Sequence, residues 1–445
     1  MPMSRPHGPS PLFAVFWPFA FGYALSYALR TINAVLSPSL VQELGLSAAE
    51  LGLLASAYFL SFAAMQIPLG VLLDRYGPRR VEGSLLIIAL LGACLTAMAN
   101  DFWMLWIGRA LIGAGVSACL MAGYKAFRML FEDRLQAPLA SAMLVVGSIG
   151  ALSATLPVEW LLQITSWRGV FWILALLFGF SALAIAWLLP PIPIPGSPTG
   201  GPPKGLWADT RDGLDTIFSH HEFWRMLPFA VVTFGGFLAL HGLWLGPWFR
   251  VVEGFSNAEA AWGLFVLTLG VTASHLTVAS LAGRVIHPGP SLFRFMVGGL
   301  LMKLVFSTSA VLGLWPHPLI GWGLTFLAAG VTTLSYTRFA LVFPKALSGR
   351  ASTSFNFLVF MGAFAVQWGL GLLIDLFRGF AMQEADAMRL AFGFWVGLQA
   401  AALLWLIRPG QPAYQVHVED QSPGPSPAPL PDRRPADQPE SSPRV

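Results

Sequence analysis

Gly70-Val71-Leu72-Leu73-Asp74-Arg75-Tyr76-Gly77-Pro78-Arg79-Arg80 is the stretch that decides the fold. It sets three arginines, one aspartate and two glycines in a short polar turn. Long apolar runs flank it, at about 51–73 and 81–99. A helix needs roughly 20 apolar residues to cross the hydrocarbon core of a bilayer. A short basic turn between two such runs is the tip of a membrane hairpin, on the side where Lys and Arg accumulate.

The rest of the chain repeats that pattern. Of 445 residues, 56% are hydrophobic and 11% charged, against about 25% charged in a soluble domain. Too few charges remain to cover a water-facing surface, so the solvent is a bilayer. Apolar runs lie at about 12–36, 51–73, 81–99, 102–124, 137–158, 168–189, 226–249, 259–283, 292–314, 318–338, 351–374 and 388–407. Barrel strands alternate apolar and polar residues over about ten positions, and these runs do not. The expected class is an all-α membrane protein with twelve transmembrane helices.

The loops orient it. With the N-terminus inside, the cytoplasmic loops hold Arg75, Arg79, Arg80, Lys125, Arg128, Arg134, Lys204, Arg211, Arg225, Arg284, Arg294, Arg338, Lys345 and Arg350. The opposite loops hold Arg168, Arg250, Arg378 and Arg389. This bias predicts both termini in the cytoplasm of a multi-pass protein of the cell inner membrane. The formal net charge is only +4, so its distribution matters more than its sum. Residues 190–205 are dense in Pro and Gly and cannot propagate a helix. The division expected is a segment 1–11, a six-helix bundle 12–189, a cytoplasmic linker 190–225 with a short surface helix at 206–225, a second bundle 226–408, and a disordered tail 409–445. Cys94 and Cys119 fall inside apolar runs and suit packing better than a disulfide or a metal pair. No cleavable signal, lipidation box, zinc-ligand spacing, phosphate-cradling loop or nucleophile elbow is present in the sequence. Nothing points to an enzyme, and no cofactor or metal is expected.

The Gly70–Arg80 turn resembles the loop signature G-x-L-x-D-R-x-G-x-R-R of the major facilitator superfamily, which joins the second and third helices of those transporters. The resemblance covers about residues 12–408 and implies two pseudo-symmetric six-helix bundles that rock about a midplane site. It makes Gly70, Asp74, Arg75, Gly77, Arg79 and Arg80 a cytoplasmic latch. The second-half counterpart near Gly283–Pro288 lacks the Asp-Arg pair, so the latch is expected to be one-sided. Arg109 through Gly113 and Gly115 is similar to the family's fourth-helix motif R-x-x-x-G-x-G. By analogy Arg109 and Gly113 serve coupling or gating. The alternative is a structural arginine on backbone carbonyls of adjacent helices. The fifth span lacks the Gly-Pro motif of drug–proton antiporters. Phe343–Thr353 looks like a loop of a proteobacterial branch whose substrates are poorly defined.

Candidate substrate residues follow from helix faces. Tyr23, Tyr27 and Arg30 share one face of the first span. Arg30 offers a fixed positive charge with five donors, suited to a carboxylate, a phosphate or another oxyanion. His241 and Trp244 occupy the seventh span, which mirrors the first, and His241 is expected to face Arg30 across the cavity. His275 lies in the eighth span, and either histidine could carry a coupled proton. Gln66, Asn356 and Gln367 are neutral polar residues within spans, able to bind ligand or neighbouring helices. No Asp or Glu is expected near the middle of a span, while Glu159 and Asp375 lie near outer ends. Lys303, midway along a peripheral span, is not expected to touch substrate.

The function expected is a secondary active transporter of a small organic or inorganic anion, working by alternating access as a monomer in the lipid bilayer, with no nucleic-acid partner. Proton symport, antiport and uniport stay open. The alternatives are a multidrug or metabolite exporter of the same fold, or a non-transporting sensor or scaffold.

Overall fold

A computed structural model of the chain describes residues 11–189, 215, 217–282, 290–343 and 348–408. Most of the expected linker, the tail and the second-half loop copy at 283–288 lie outside the described residues. Among the described residues eleven helices are long and apolar enough to cross a membrane. The longest, Ala48–Ala97, has 50 residues, or about 75 Å at 1.5 Å per residue, and a hydrocarbon core is only about 30 Å thick. It is two spans. Gly77 breaks it at φ 78°, ψ 160°, a conformation that a residue without Cβ reaches at little cost, and Pro78 then starts the second helix.

We number the spans α1 (Pro11–Leu44), α2 (48–76), α3 (78–97), α4 (Phe102–Leu130), α5 (Asp133–Leu162), α6 (Trp167–Leu188), α7 (His221–Val251), α8 (Asn257–Ala282), α9 (Pro290–Val311), α10 (Pro318–Phe339), α11 (Ser348–Gly379) and α12 (Glu384–Leu406). α7 starts at His221, inside the segment expected to be linker. Its first turn is held by Glu222, which is buried and pairs with Arg225 at 3.1 Å and with Arg338 of α10 at 3.0 Å.

The surface fits a bilayer. Ile87, Leu91, Ile149, Leu176, Leu183, Val305 and Leu398 are exposed along the spans, while exposed Trp17, Trp187 and Trp224 sit toward one end and Trp103, Trp160 and Trp262 toward the other. Lipid accepts the aliphatic side chains, and indoles favour the two interfaces.

α1–α6 form a first bundle and α7–α12 a second. Their seam runs through α1 against α7 and α2 against α11. It is tightest on the face opposite the Gly70–Arg80 turn. There the backbones meet through glycines: a Cβ on Gly246 would lie 2.1 Å from the Ala34 carbonyl oxygen, and one on Gly371 would lie 2.3 Å from that of Ala48. α7 packs on α11 through a π-helical turn at Phe229–Gly235 and reaches α1 through a second at Leu240–Trp244.

Candidate functional site

Arg30 sits on this seam at mid-span, half-buried. Its guanidinium carbon lies 4.4 Å from the Tyr27 ring centre, 4.9 Å from that of Phe62 and 5.0 Å from that of Phe360. Such a cage holds a cation by its rings' quadrupoles, at about 0.5–2 kcal/mol per contact. The Arg30 Nε donates to the Tyr58 hydroxyl at 3.4 Å, and that hydroxyl donates to the Ser26 carbonyl at 3.1 Å. Tyr23 packs its ring edge-on to Tyr27, 4.9 Å between centres. No carboxylate among the described residues pairs with Arg30, and its two Nη groups find no protein acceptor. The cage packs rings around the guanidinium, and among the described residues both Nη groups are left for a ligand.

The second bundle completes the site. Phe360 stacks on Phe62 across the seam at 4.3 Å. The Asn356 amide donates to the Gln66 Oε1 at 2.9 Å, and the Tyr336 hydroxyl donates to the Asn356 Oδ1 at 2.6 Å. α1, α2, α10 and α11 thus meet at one polar, aromatic cluster. One helical turn beyond Gln66, Gly70 is exposed, and a Cβ there would meet nothing within 4 Å. Between the described residues no hydrogen bond or ring contact joins the bundles below the Gln66–Asn356 bond, and there, on the side of the Gly70–Arg80 turn, they part.

On the opposite side the seam is closed. Trp244 donates through its indole N–H to the Gln367 carbonyl at 2.8 Å and covers Gly52. The Gln367 side-chain amide is buried there without a partner. Arg250 donates to the Ser37 hydroxyl at 2.7 Å. Asp375, at the end of α11, accepts from the backbone N–H groups of Ala48 at 3.2 Å and Ala49 at 2.7 Å. The Ser47 side chain caps Glu50 N at 3.2 Å, and Leu51 N bonds the Ser47 carbonyl at 2.9 Å. Every free N–H in the first turn of α2 is satisfied, two of them by a carboxylate of the other bundle.

Of the residues expected to bind substrate, the structure brings Tyr23, Tyr27, Arg30, Gln66 and Asn356 together, and sets Trp244 and Gln367 in the closed seam. His241 is turned into the second bundle: its Nε2 lies 2.9 Å from the Thr268 Oγ1, and its ring packs on Phe237 and Phe326. It makes no contact with Arg30 among the described residues, and His275 lies further along the same α8 helix as Thr268. Lys303 is buried at 1% exposure and donates to the Gln399 Oε1 at 2.6 Å, away from the seam.

Arg109 is 2% exposed. It donates to the Leu29 carbonyl at 3.2 Å, the residue before Arg30, and its Nε and Nη1 are unpartnered. It lies between the rings of Tyr58, at 5.9 Å, and Phe171, at 5.8 Å. Gly113 brings α4 onto α2, since a Cβ there would lie 2.2 Å from the Tyr58 carbonyl oxygen. Tyr58 therefore touches both arginines. In the turn, Asp74 pairs with Lys125, Arg75 lies over Tyr76, and Arg79 donates to the Ala186 carbonyl of α6. Gly70 and Arg80 are exposed. All these partners belong to the first bundle, so among the described residues the turn makes no contact with the second.

Sequence reasoning missed Tyr58, Phe62, Tyr336 and Phe360. Tyr58, Phe62 and Gln66 recur every four residues and so share one face of α2, which was the available signal. It also passed over Glu82, five residues into the third span beside the basic turn. Glu82 is fully buried, at 0% exposure.

A sequence profile described as the Major Facilitator Superfamily matches residues 19–367. A hexuronate transporter of Escherichia coli K12 is 29% identical over 168 residues. That match covers 38% of this chain and 38% of the relative. A protein whose name proposes multidrug resistance, MdtD of Yersinia enterocolitica, is 27% identical over 371 residues, 82% of this chain and 75% of that one. Among solved structures, a bacterial homologue of the human lysosomal transporter Spinster superposes with a TM-score of 0.70 at 18% identity. It covers 90% of this chain and 97% of its own, a likeness of fold.

Proposed function

The chain belongs to the Major Facilitator Superfamily, and from that premise we propose that it is a secondary transporter of small organic acids, binding a substrate carboxylate at Arg30. The observation that carries this reading is the caged guanidinium on the bundle seam, with both Nη groups free and no acid to neutralise it among the described residues. An unpaired charge at that depth is costly, and a substrate carboxylate bound bidentate supplies the missing partner. Tyr27, Phe62 and Phe360 wall the site with aromatic rings. Gln66, Asn356 and Tyr336 offer hydrogen bonds for its hydroxyl groups. Hexuronates, the substrates in the name of one relative, are carboxylate-bearing sugars that fit this chemistry.

The mechanism proposed is alternating access about the Arg30 cluster. If the basic loops face the cytoplasm, as their charge argues, the parted side opens inward and the Asp375–α2 contact is the outer closure. Substrate can drive the change only by binding an intermediate state more tightly than either open one. The disengaged Asp74 turn agrees with an inward-open state, because a latch across the inner face would have to break in it.

A thermal-shift panel on the purified protein tests the reading. Ligand at 100 times its Kd adds about 2.7 kcal/mol to the native state. D-galacturonate is expected to raise the melting temperature, and uncharged galactose is not. Drug export is the second reading, because the MdtD match spans most of the chain. Stabilisation by apolar cations alone would favour it and refute the anion proposal.

A further inference from the structure

Deep in the first bundle, three polar side chains converge on Gly22 of α1. A Cβ at Gly22 would lie 3.0 Å from the Glu82 Oε1 of α3, 3.4 Å from the Ser181 Oγ of α6 and 3.6 Å from the Cys119 Sγ of α4. Glu82, Ser181 and Cys119 are all at 0% exposure. Both Glu82 oxygens and the Ser181 hydroxyl lack a hydrogen-bond partner. Buried polar atoms are seldom orphaned, and adjacent orphans call for an explanation.

An ionised carboxylate here would be without a counter-charge. From α1 the cation is Arg30, which is caged by Tyr27, Phe62 and Phe360 and forms no pair with Glu82. α4 presents Cys119, a weak donor, and α6 presents Ser181. On α3 itself, Arg79 lies one turn earlier, but its guanidinium is bonded to the Ala186 carbonyl. A buried charge without a partner is heavily disfavoured. One proton removes the difficulty, because a neutral carboxyl group leaves no uncompensated charge inside the bundle.

We infer that Glu82 is a proton-binding site, protonated in this state, whose deprotonation favours the opposite one. Its coupling role rests on the transport reading above, but the protonation itself does not. On losing its proton the carboxylate needs a cation. Arg79, three residues away on the same helix face, can supply one by leaving the Ala186 carbonyl. Proton binding is thereby linked to the contact between α3 and α6 beside the basic turn, and linkage makes the conformational equilibrium depend on pH.

Two measurements without substrate test this on the full chain. Infrared difference spectra of wild type against Glu82→Gln at neutral pH are expected to show a carboxylic-acid C=O band lost in the variant. Cys119→Ser, which places a stronger donor beside the carboxyl, is expected to shift that band. Spin labels at Arg128 and Arg350, in a Cys94→Ser background that keeps buried Cys119, report opening of the parted side. Wild type is expected to move toward this open state as pH falls, and Glu82→Gln to hold it at every pH. No acid band at neutral pH, or a wild-type pH response in Glu82→Gln, would overturn the inference. Failure of galacturonate to bind would refute the anion reading and leave these two results standing.

Discussion

Replacing Asp375 by asparagine removes the charge that one bundle places on the first turn of the other. The native carboxylate accepts two backbone N–H bonds, at 3.2 and 2.7 Å, at the N-terminus of α2. A side-chain cap contributes about 0.5–2 kcal/mol, and a negative charge at a helix N-terminus about 0.3–1 kcal/mol. Asparagine keeps one acceptor oxygen and loses the charge, so the closed face should lose about 1–1.5 kcal/mol. That is roughly a 5- to 13-fold change in the ratio of closed to separated molecules. Spin labels at exposed Gln42 and Gln383 lie on this face, one on each bundle, and their distance distribution reads the ratio directly. Double electron–electron resonance should show the separated fraction rising by that factor, with the parted side closing in step. An unchanged distribution in a well-folded Asp375→Asn protein would refute the claim that this contact seals the face.

Three further outcomes follow from the same geometry. Gly246→Val puts side-chain atoms where the Ala34 carbonyl oxygen stands, 2.1 Å from the Cβ position, so it should prevent closure of that face and separate the same label pair. Tyr58→Phe removes the hydroxyl that orients Arg30 while keeping the ring. It should weaken substrate affinity by roughly 2- to 10-fold, in line with about 0.5–1.5 kcal/mol for a lost hydrogen bond, as read by calorimetry. Asp74→Asn breaks a pair whose carboxylate is 82% exposed, so thermal stability should change by less than about 1 kcal/mol, while uptake in proteoliposomes falls if the turn must re-engage during the cycle.

The twelve spans were legible because hydrocarbon demands long apolar runs and tolerates nothing else. The Gly77 break was legible because glycine, proline and four charges cannot sit in lipid. Tyr23, Tyr27, Arg30, Gln66 and Asn356, which the structure brings together, were singled out because a polar residue in an apolar run needs a reason to be there. What the sequence could not carry was direction around a helix axis once two helices pack. The two-fold repeat suggested that His241 faces Arg30, but the π-helical turns of α7 present Gly242 to the Arg30 backbone and turn the imidazole toward Thr268. Glu82 was hidden for another reason. It lies in the first residues of the run 81–99, beside Arg79 and Arg80, and only the packing of α1, α4 and α6 around it shows that it is out of water. Tyr336 and Phe360 belong to the site because α10 and α11 bring them there, and nothing in their own neighbourhoods marks them.

The central claim is that Arg30 binds the negative charge of the transported solute. Counterflow of labelled D-galacturonate in proteoliposomes tests it most directly, with wild type, Arg30→Lys and Arg30→Ala reconstituted at equal density. Wild type is expected to exchange the label. Arg30→Lys, which keeps the charge but loses the planar fork, is expected to need at least about ten times more substrate, roughly the 1.4 kcal/mol of a lost bidentate contact. Arg30→Ala is expected to exchange nothing above empty vesicles. Full exchange by Arg30→Ala, or full transport of a neutral or cationic solute by that variant, would contradict the account.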